Sequence, residues 1–194
     1  MSTMPLKVVA LPPNALRAKG SGLSLRYGTA KSPFGPCLLA WTGQGLCLLH
    51  FLDGPPTTQA DMILKHLWPQ AMVQHNQSEA SAIATSIFSA HGPSKPPALI
   101  LCGTPFQLKA WRALLEIPFG ETRSYGQLAE AMGNPSAARA AGTAIGANLL
   151  AYLVPCHRII RETGQTGQYR WGAQRKATIL NWEAAQLAAA QTNR

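Results

Sequence analysis

The chain has 194 residues, 46% of them hydrophobic and only 13% charged. That composition excludes an intrinsically disordered protein and allows one large domain or two small ones, each with its own core. A formal net charge of +9 calls for an anionic partner (nucleic acid, an acidic membrane surface or an acidic protein), and the scatter of Lys and Arg excludes a basic tail.

No apolar run approaches the roughly 20 residues of a membrane span. The patch Val8-Val9-Ala10-Leu11, halted by Pro12-Pro13, is too short and broken for a secretory signal, so residues 1–20 are expected to be a loose, unprocessed N-terminus. Cys37, Cys47, Cys102 and Cys156 have neither CxxC pairing nor the density of a disulfide scaffold, which favours the cytoplasm, or the nucleus in a eukaryote.

Ser24 to Tyr27, Cys37 to Trp41 and Gly45 to Phe51 have strand character, with Thr42-Gly43-Gln44-Gly45 as a hairpin turn between the last two. Ala60 to Trp68 and Glu79 to Ala90 are predicted helices, the second with Ile83, Ile87 and Phe88 on one side. Pro93 to Pro97 breaks the pattern, and Leu99 to Leu101 adds a strand. Residues 21–98 therefore make a small α/β domain. Cys37, Cys47 and His50 could be taken for metal ligands, but inward cysteines on a strand pair are the more economical account, and no metal is expected.

Residues 99–187 are expected to form the C-terminal domain, whose grammar turns helical from Gly103, and 188–194 a tail. Thr104-Pro105 opens a helix from Phe106 to Ile117, with Phe106, Ala110, Ala113 and Leu114 on one face. Ser124 and Gln127 form a capping box for a helix ending at Met132. After the turn at Gly133-Asn134-Pro135 comes a helix of almost nothing but Ala and Gly, carrying Arg139. This is helix-turn-helix spacing, yet such a helix reads few base edges and suits a binder that wedges into a groove; tight helix packing is the equal alternative. A closing helix is expected from Arg175 to Leu187, with Glu183 near its middle.

Pro155-Cys156-His157-Arg158 lies in an apolar run. A thiol of ordinary pKa, about 8.5, is only about 3% ionised at pH 7. The imidazole of His157 can take its proton, and His157 and Arg158 are both expected to favour the thiolate. Asn148, eight residues earlier, could be a C-cap or could tie the cysteine loop through its carboxamide, and Glu183 could be a solvated position or the group that orients His157.

The order and spacing of Ser124-Tyr125-Gly126-Gln127-Leu128-Ala129, Asn134-Pro135-Ser136-Ala137-Ala138-Arg139-Ala140 and Pro155-Cys156-His157-Arg158-Ile159-Ile160 resemble those of the O6-alkylguanine-DNA alkyltransferase family, over roughly residues 100 to 185. The resemblance implies an α+β protein with a strand-rich, ribonuclease-H-like N-terminal domain and an all-helical C-terminal domain. It implies irreversible, single-turnover transfer of an alkyl group from O6-alkylguanine, and usually O4-alkylthymine, in double-stranded DNA to Cys156, without cofactor. In that frame His157 is the base acting through a water, Glu183 polarises it and Asn148 supports the loop. Arg139 replaces the extruded base in the stack, and Tyr125 turns the flanking phosphate and can donate a proton to guanine. Val154, Tyr169 and Arg170 line the base pocket, and Gln107 and Asn134 contact phosphates. Arg170 and Trp171 are bulky where some members are small, which puts large adducts in doubt. The zinc ligands of some relatives and the extra cysteine cluster of adaptive-response regulators have no counterpart. Two other readings stand beside it: a cysteine hydrolase, which would turn over, and a non-catalytic DNA-binding or lesion-flagging module. A monomer is expected because no heptad pattern or large apolar helix face asks for a partner.

Overall fold

The computed structural model describes residues 7–11, 20–89 and 97–192. The chain divides into two compact units, residues 1–104 and 105–194. The first is built on a six-stranded mixed sheet of order β1-β6-β4-β3-β2-β5. Its strands are β1 (Val8–Leu11), β2 (Ser24–Ser32), β3 (Gly35–Thr42), β4 (Gly45–Phe51), β5 (Met72–His75) and β6 (Leu99–Cys102). Strands β2, β3 and β4 form an antiparallel meander, and Thr42 pairs with Gly45 at the expected hairpin.

Cys37 to Trp41 and Leu46 to Leu49 are buried without alternation, as in strands covered on both faces. Helices α1 (Pro56–Leu67) and α2 (Gln77–Ile87) complete this unit. Asn76 caps α2 by accepting from the Glu79 amide, which satisfies one of the helix's unpaired N–H groups. A β-carbon on Gly28 would lie 2.6 Å from that of Ala80, so only glycine lets α2 approach β2 this closely.

Two strands depart from expectation. Val8–Leu11, expected to be loose, pairs in parallel with Leu99–Cys102, and Met72–His75 forms an exposed edge strand beside β2. Both are four residues long and hold their place through pairing with distant segments, which local pattern does not reveal. The Pro12-Pro13 break and all but the last residue of the Pro93 to Pro97 break lie outside the described residues.

The second unit contains α3 (Pro105–Leu115), α4 (Tyr125–Ala131), α5 (Ala138–Gly146) and α6 (Ala173–Thr192). The capping box at Ser124 and Gln127 is present in full. A 3-10 turn, Pro135–Ala137, leads from α4 into α5, completing the helix-turn-helix. The face of α3 is rotated from the predicted one: Ala110, Trp111 and Leu114 are buried, and the Trp111 indole donates to Ala144 O at 3.1 Å. The small side chains of α5 thus serve helix packing on that side, while Arg139 and Ala140 on another are exposed. The unit is not purely helical, because β7 (Arg123–Ser124) pairs in parallel with β8 (Ile159–Ile160). Helix α6 runs to Thr192, beyond the predicted end at Leu187, consistent with the high helix propensity of its Ala-rich last turns. Among the described residues no helix is long and apolar enough to cross a membrane.

Candidate active site

The cysteine loop runs from the end of α5 to β8 and is fastened from within. Asn148, only 1% exposed, donates through Nδ2 to Leu150 O at 3.2 Å and Val154 O at 3.0 Å, and its Oδ1 accepts from Leu150 N at 2.8 Å. The same Nδ2 lies 3.5 Å from Cys156 Sγ. The carboxamide is therefore more than a helix cap: it closes the loop and points a donor at the sulfur. Val154 O also accepts from the Cys156 amide at 2.8 Å, so Cys156, 7% exposed, enters its short 3-10 turn with a fixed backbone.

The next residue is tied to α6. His157 and Glu183 are fully buried, with His157 Nε2 and Glu183 Oε1 3.0 Å apart. Glu183 also accepts from Arg158 Nη2 at 2.8 Å and from the Gly120 amide at 3.1 Å. Arg158 Nη1 donates to Ile117 O at 2.7 Å. Despite the cost of burial, the hydrogen bonds from His157 and Arg158 hold the Glu183 carboxyl down at about 2. An ionised carboxylate can only accept, so Nε2 must carry the proton of that bond. Burial lowers the His157 pKa, with Glu183 acting against it, so the resting ring is neutral. Its Nδ1 is then a lone-pair acceptor, buried and without a hydrogen-bond partner in the protein. The ring can receive one proton there.

Burial pushes the Cys156 thiol up; in the other direction act the Asn148 hydrogen bond, the Lys176 ammonium, the backbone at Cys156 and the Arg170 guanidinium. The resting group is thus a neutral thiol, which corrects the expectation that its neighbours in sequence would favour the anion. Arg158 turns away to Glu183 and Ile117, and a neutral imidazole offers a base instead of a charge. The cation is supplied by Lys176, which sequence reasoning missed. It is fully buried on α6 and donates to Ile159 O, and burial holds its pKa down at about 8. Its only signal in the sequence is a lysine among the apolar positions of the closing helix.

Tyr125 opens α4 and is half-buried. A β-carbon on Gly142 would lie 3.3 Å from its Cε1, so that glycine makes room for the ring. Burial, and next the negative charge of a Cys156 thiolate, raise its phenol pKa, which places it within electrostatic reach of the sulfur as a protonated group. Tyr169 packs edge-on to His157, with centroids 6.4 Å apart. The exposed Arg170 donates to Asn148 O at 3.3 Å and lies over the Trp171 ring at 5.9 Å.

Cys156, His157, Glu183, Asn148, Val154, Tyr169, Arg170 and Tyr125 thus form one cluster. Asn134 and Arg139 lie outside it on the helix-turn-helix, and Gln107 lies in the first turn of α3. Asn134 Oδ1 accepts from the Ser136 hydroxyl at 2.9 Å, and Arg139 is exposed in the first turn of α5. Among the described residues no group of three or more His, Cys, Asp or Glu could hold a metal ion.

Comparison with known proteins gives this arrangement a family. Residues 105–185 match the DNA-binding domain of 6-O-methylguanine DNA methyltransferase, and residues 25–67 match its ribonuclease-like domain. The methylated-DNA–protein-cysteine methyltransferase of Mycobacterium leprae is 40% identical over 158 residues, 80% of this chain and 90% of that protein. The bifunctional transcriptional activator/DNA repair enzyme Ada of Escherichia coli is 39% identical over 175 residues, 87% of this chain; the chain spans about half of Ada's length, 48%. The crystal structure of Mycobacterium tuberculosis OGT in complex with DNA superposes with a TM-score of 0.66 at 35% identity, covering 84% of this chain and 94% of that one. With both domains matched and a relative covered almost end to end, this chain belongs to the 6-O-methylguanine DNA methyltransferase family.

Proposed function

We propose that this protein repairs O6-alkylguanine, and also O4-alkylthymine, in double-stranded DNA by moving the alkyl group irreversibly onto Cys156, once per molecule and as a monomer. The observation that carries this reading is the buried relay itself: a neutral thiol under the Asn148 amide, and an imidazole whose Nε2–H is committed to Glu183 while Nδ1 stays available. The relatives named above, including one seen with DNA, support it.

The chemistry balances without a cofactor. His157 Nδ1 accepts the Cys156 proton, through a water where the two do not touch, and Lys176 offsets the charge left on sulfur. The thiolate attacks the alkyl carbon, the S–C bond forms, the C–O6 bond breaks, and guanine leaves with the electron pair. Tyr125, held as a protonated phenol, donates to the departing base. The product thioether has no proton to return and no leaving group better than the thiolate, which makes the step terminal.

Access to O6 requires the base to leave the stack, at a cost of a few kcal/mol that a damaged pair reduces. Arg139, long and exposed on a helix otherwise of small residues, is suited to fill the gap, and the net charge of +9 gives sequence-independent phosphate affinity. Gln107 and Asn134 are placed for backbone contacts, and Tyr169, Arg170 and Val154 for the base pocket, where Arg170 and Trp171 narrow the space for large adducts. These groups all lie within residues 99–187, the proposed alkyltransferase and DNA-binding domain.

Intact-protein mass spectrometry after incubation with an O6-methylguanine duplex tests the proposal. The expected result is one added methyl on Cys156, saturating at one per protein. Tight binding to the lesion with no change in mass would overturn it in favour of lesion recognition alone.

A further inference from the structure

Tyr152 stands out among the residues around the relay. It has a φ of 65°, the only non-glycine in the left-handed region among the described residues, where a bulky side chain is strained unless its surroundings hold it. The surroundings do so. The turn that contains it is closed on both sides by Asn148, through Leu150 and Val154. Its ring lies parallel to the His157 imidazole, with an interplanar angle of 7° and centroids 5.9 Å apart. Behind it, Trp182 packs edge-on at 6.3 Å. Trp182 immediately precedes Glu183, so adjacent residues of α6 prop the tyrosine and bind the histidine.

A hydrogen bond at Nε2 fixes one point of an imidazole and leaves the plane free to turn about the N–H···O axis. A ring stacked on its face removes that freedom. We propose that Tyr152 is the positioning residue of the relay: its ring holds the His157 plane so that Nδ1 stays available to the cysteine proton, and its face favours the imidazolium formed when that proton arrives. The proposal rests on His157 being the base in the alkyl transfer described above.

An aromatic face within about 6 Å attracts a cation, more strongly when water is excluded. Burial raises the Tyr152 phenol to about 12, so the ring stays neutral. The charged groups that face His157 are Glu183, which favours its cation, and Arg158 and Lys176, which disfavour it. With two cations opposed to one carboxylate, an uncharged group that attracts an imidazolium has a clear use. Tyr169 stands at 84° to the imidazole with centroids 6.4 Å apart, so it does not lie parallel to the ring as Tyr152 does.

The test compares Tyr152→Leu, which keeps an apolar cover but loses the π face, with Tyr152→Phe, which keeps it. The rate constant for alkyl transfer from an O6-methylguanine duplex is measured against pH, with His157→Gln alongside. Tyr152→Leu is expected to lower the plateau about tenfold and to move the acidic limb about one unit down, since one unit of imidazole basicity carries a tenfold change in proton transfer to it. Tyr152→Phe is expected to restore both. If the Leu variant does not fold, Tyr152→Asn, whose side chain tolerates the left-handed region, takes its place, and a histidine NMR titration reads the His157 pKa directly. Equal profiles for the variants with and without a ring, while His157→Gln is slow, would overturn the Tyr152 proposal alone. A His157→Gln variant as fast as the parent would overturn the base assignment and this proposal with it.

Discussion

Cys37 and Cys47 in the sheet and Cys156 in the helical unit are all buried, and burial raises the pKa of all three. In the sheet nothing of comparable size opposes it: a backbone hydrogen bond acts on each, and both thiols stand at about 12. Cys47 donates to Ala40 O at 3.3 Å among leucines of β3 and β4. At Cys156 the opposing groups are a side-chain amide, a buried lysine and an arginine, with a proton acceptor on the next residue. Burial therefore keeps a thiol quiet in either place. What makes one of them a candidate nucleophile is a set of polar groups delivered by other elements, at a cost in desolvation that only a packed site sustains.

The sharpest way to break this comparison is Cys156→Ser, expected to abolish the added mass on the protein completely, whereas Cys37→Ala and Cys47→Ala should still accept one alkyl group. Methylation of either sheet cysteine would erase the distinction. Next in size is Arg139→Ala, which leaves the cluster around Cys156 untouched. Single-turnover assays should show repair in duplex DNA falling roughly 10²-fold, as expected from losing a few kcal/mol of base extrusion, with reaction toward free O6-methylguanine nearly unchanged. Equal losses in both assays would remove the base-flipping role.

Glu183→Gln should slow transfer by roughly 10²-fold, the lower end of the range for acid–base assistance. It also has a stability signature. Both the His157 and Glu183 pKa values are lower folded than unfolded, so each contributes stability at high pH that is lost on acidification. The loss begins below the ordinary histidine value of 6.5 and continues for Glu183 between 4.5 and about 2, amounting to about 3 kcal/mol for the carboxylate. Urea unfolding across that range should be steep in the parent and flatter in the variant; parallel curves would contradict the buried ion network. The smallest effect is expected from Lys176→Met, which keeps the burial and removes the cation. Iodoacetamide should alkylate Cys156 about tenfold more slowly at neutral pH, because losing the ammonium leaves burial less opposed and less of the thiol ionised. An unchanged rate would show that Lys176 does not poise the sulfur.

Local chemistry made much of this protein legible in its sequence. The hairpin at Thr42 to Gly45, the capping box at Ser124 and Gln127, and the turn from Met132 into Pro135 are short-range devices, and each is written in residues a few positions apart. The Cys156-His157 pair was legible for the same reason. The strands Val8–Leu11 and Met72–His75 were not, because what holds each is a backbone pairing to a segment many residues away. Trp111 shows an intermediate case: periodicity announced a buried face on α3, but the acceptor that chose the tryptophan for that face, Ala144 O, belongs to another helix.

The residues able to carry the chemistry can be read along the chain: one thiol beside an imidazole, a carboxamide eight residues before it, and a single carboxylate in the closing helix. What each does to the others follows from the fold. It turned Arg158 from the thiol to Glu183, set Lys176 as the buried cation and set the Tyr152 ring parallel to that of His157. The physical reason is that electrostatic and stacking interactions depend on distance and solvent exclusion through space. Position along the chain fixes neither once α6 folds back onto the cysteine loop.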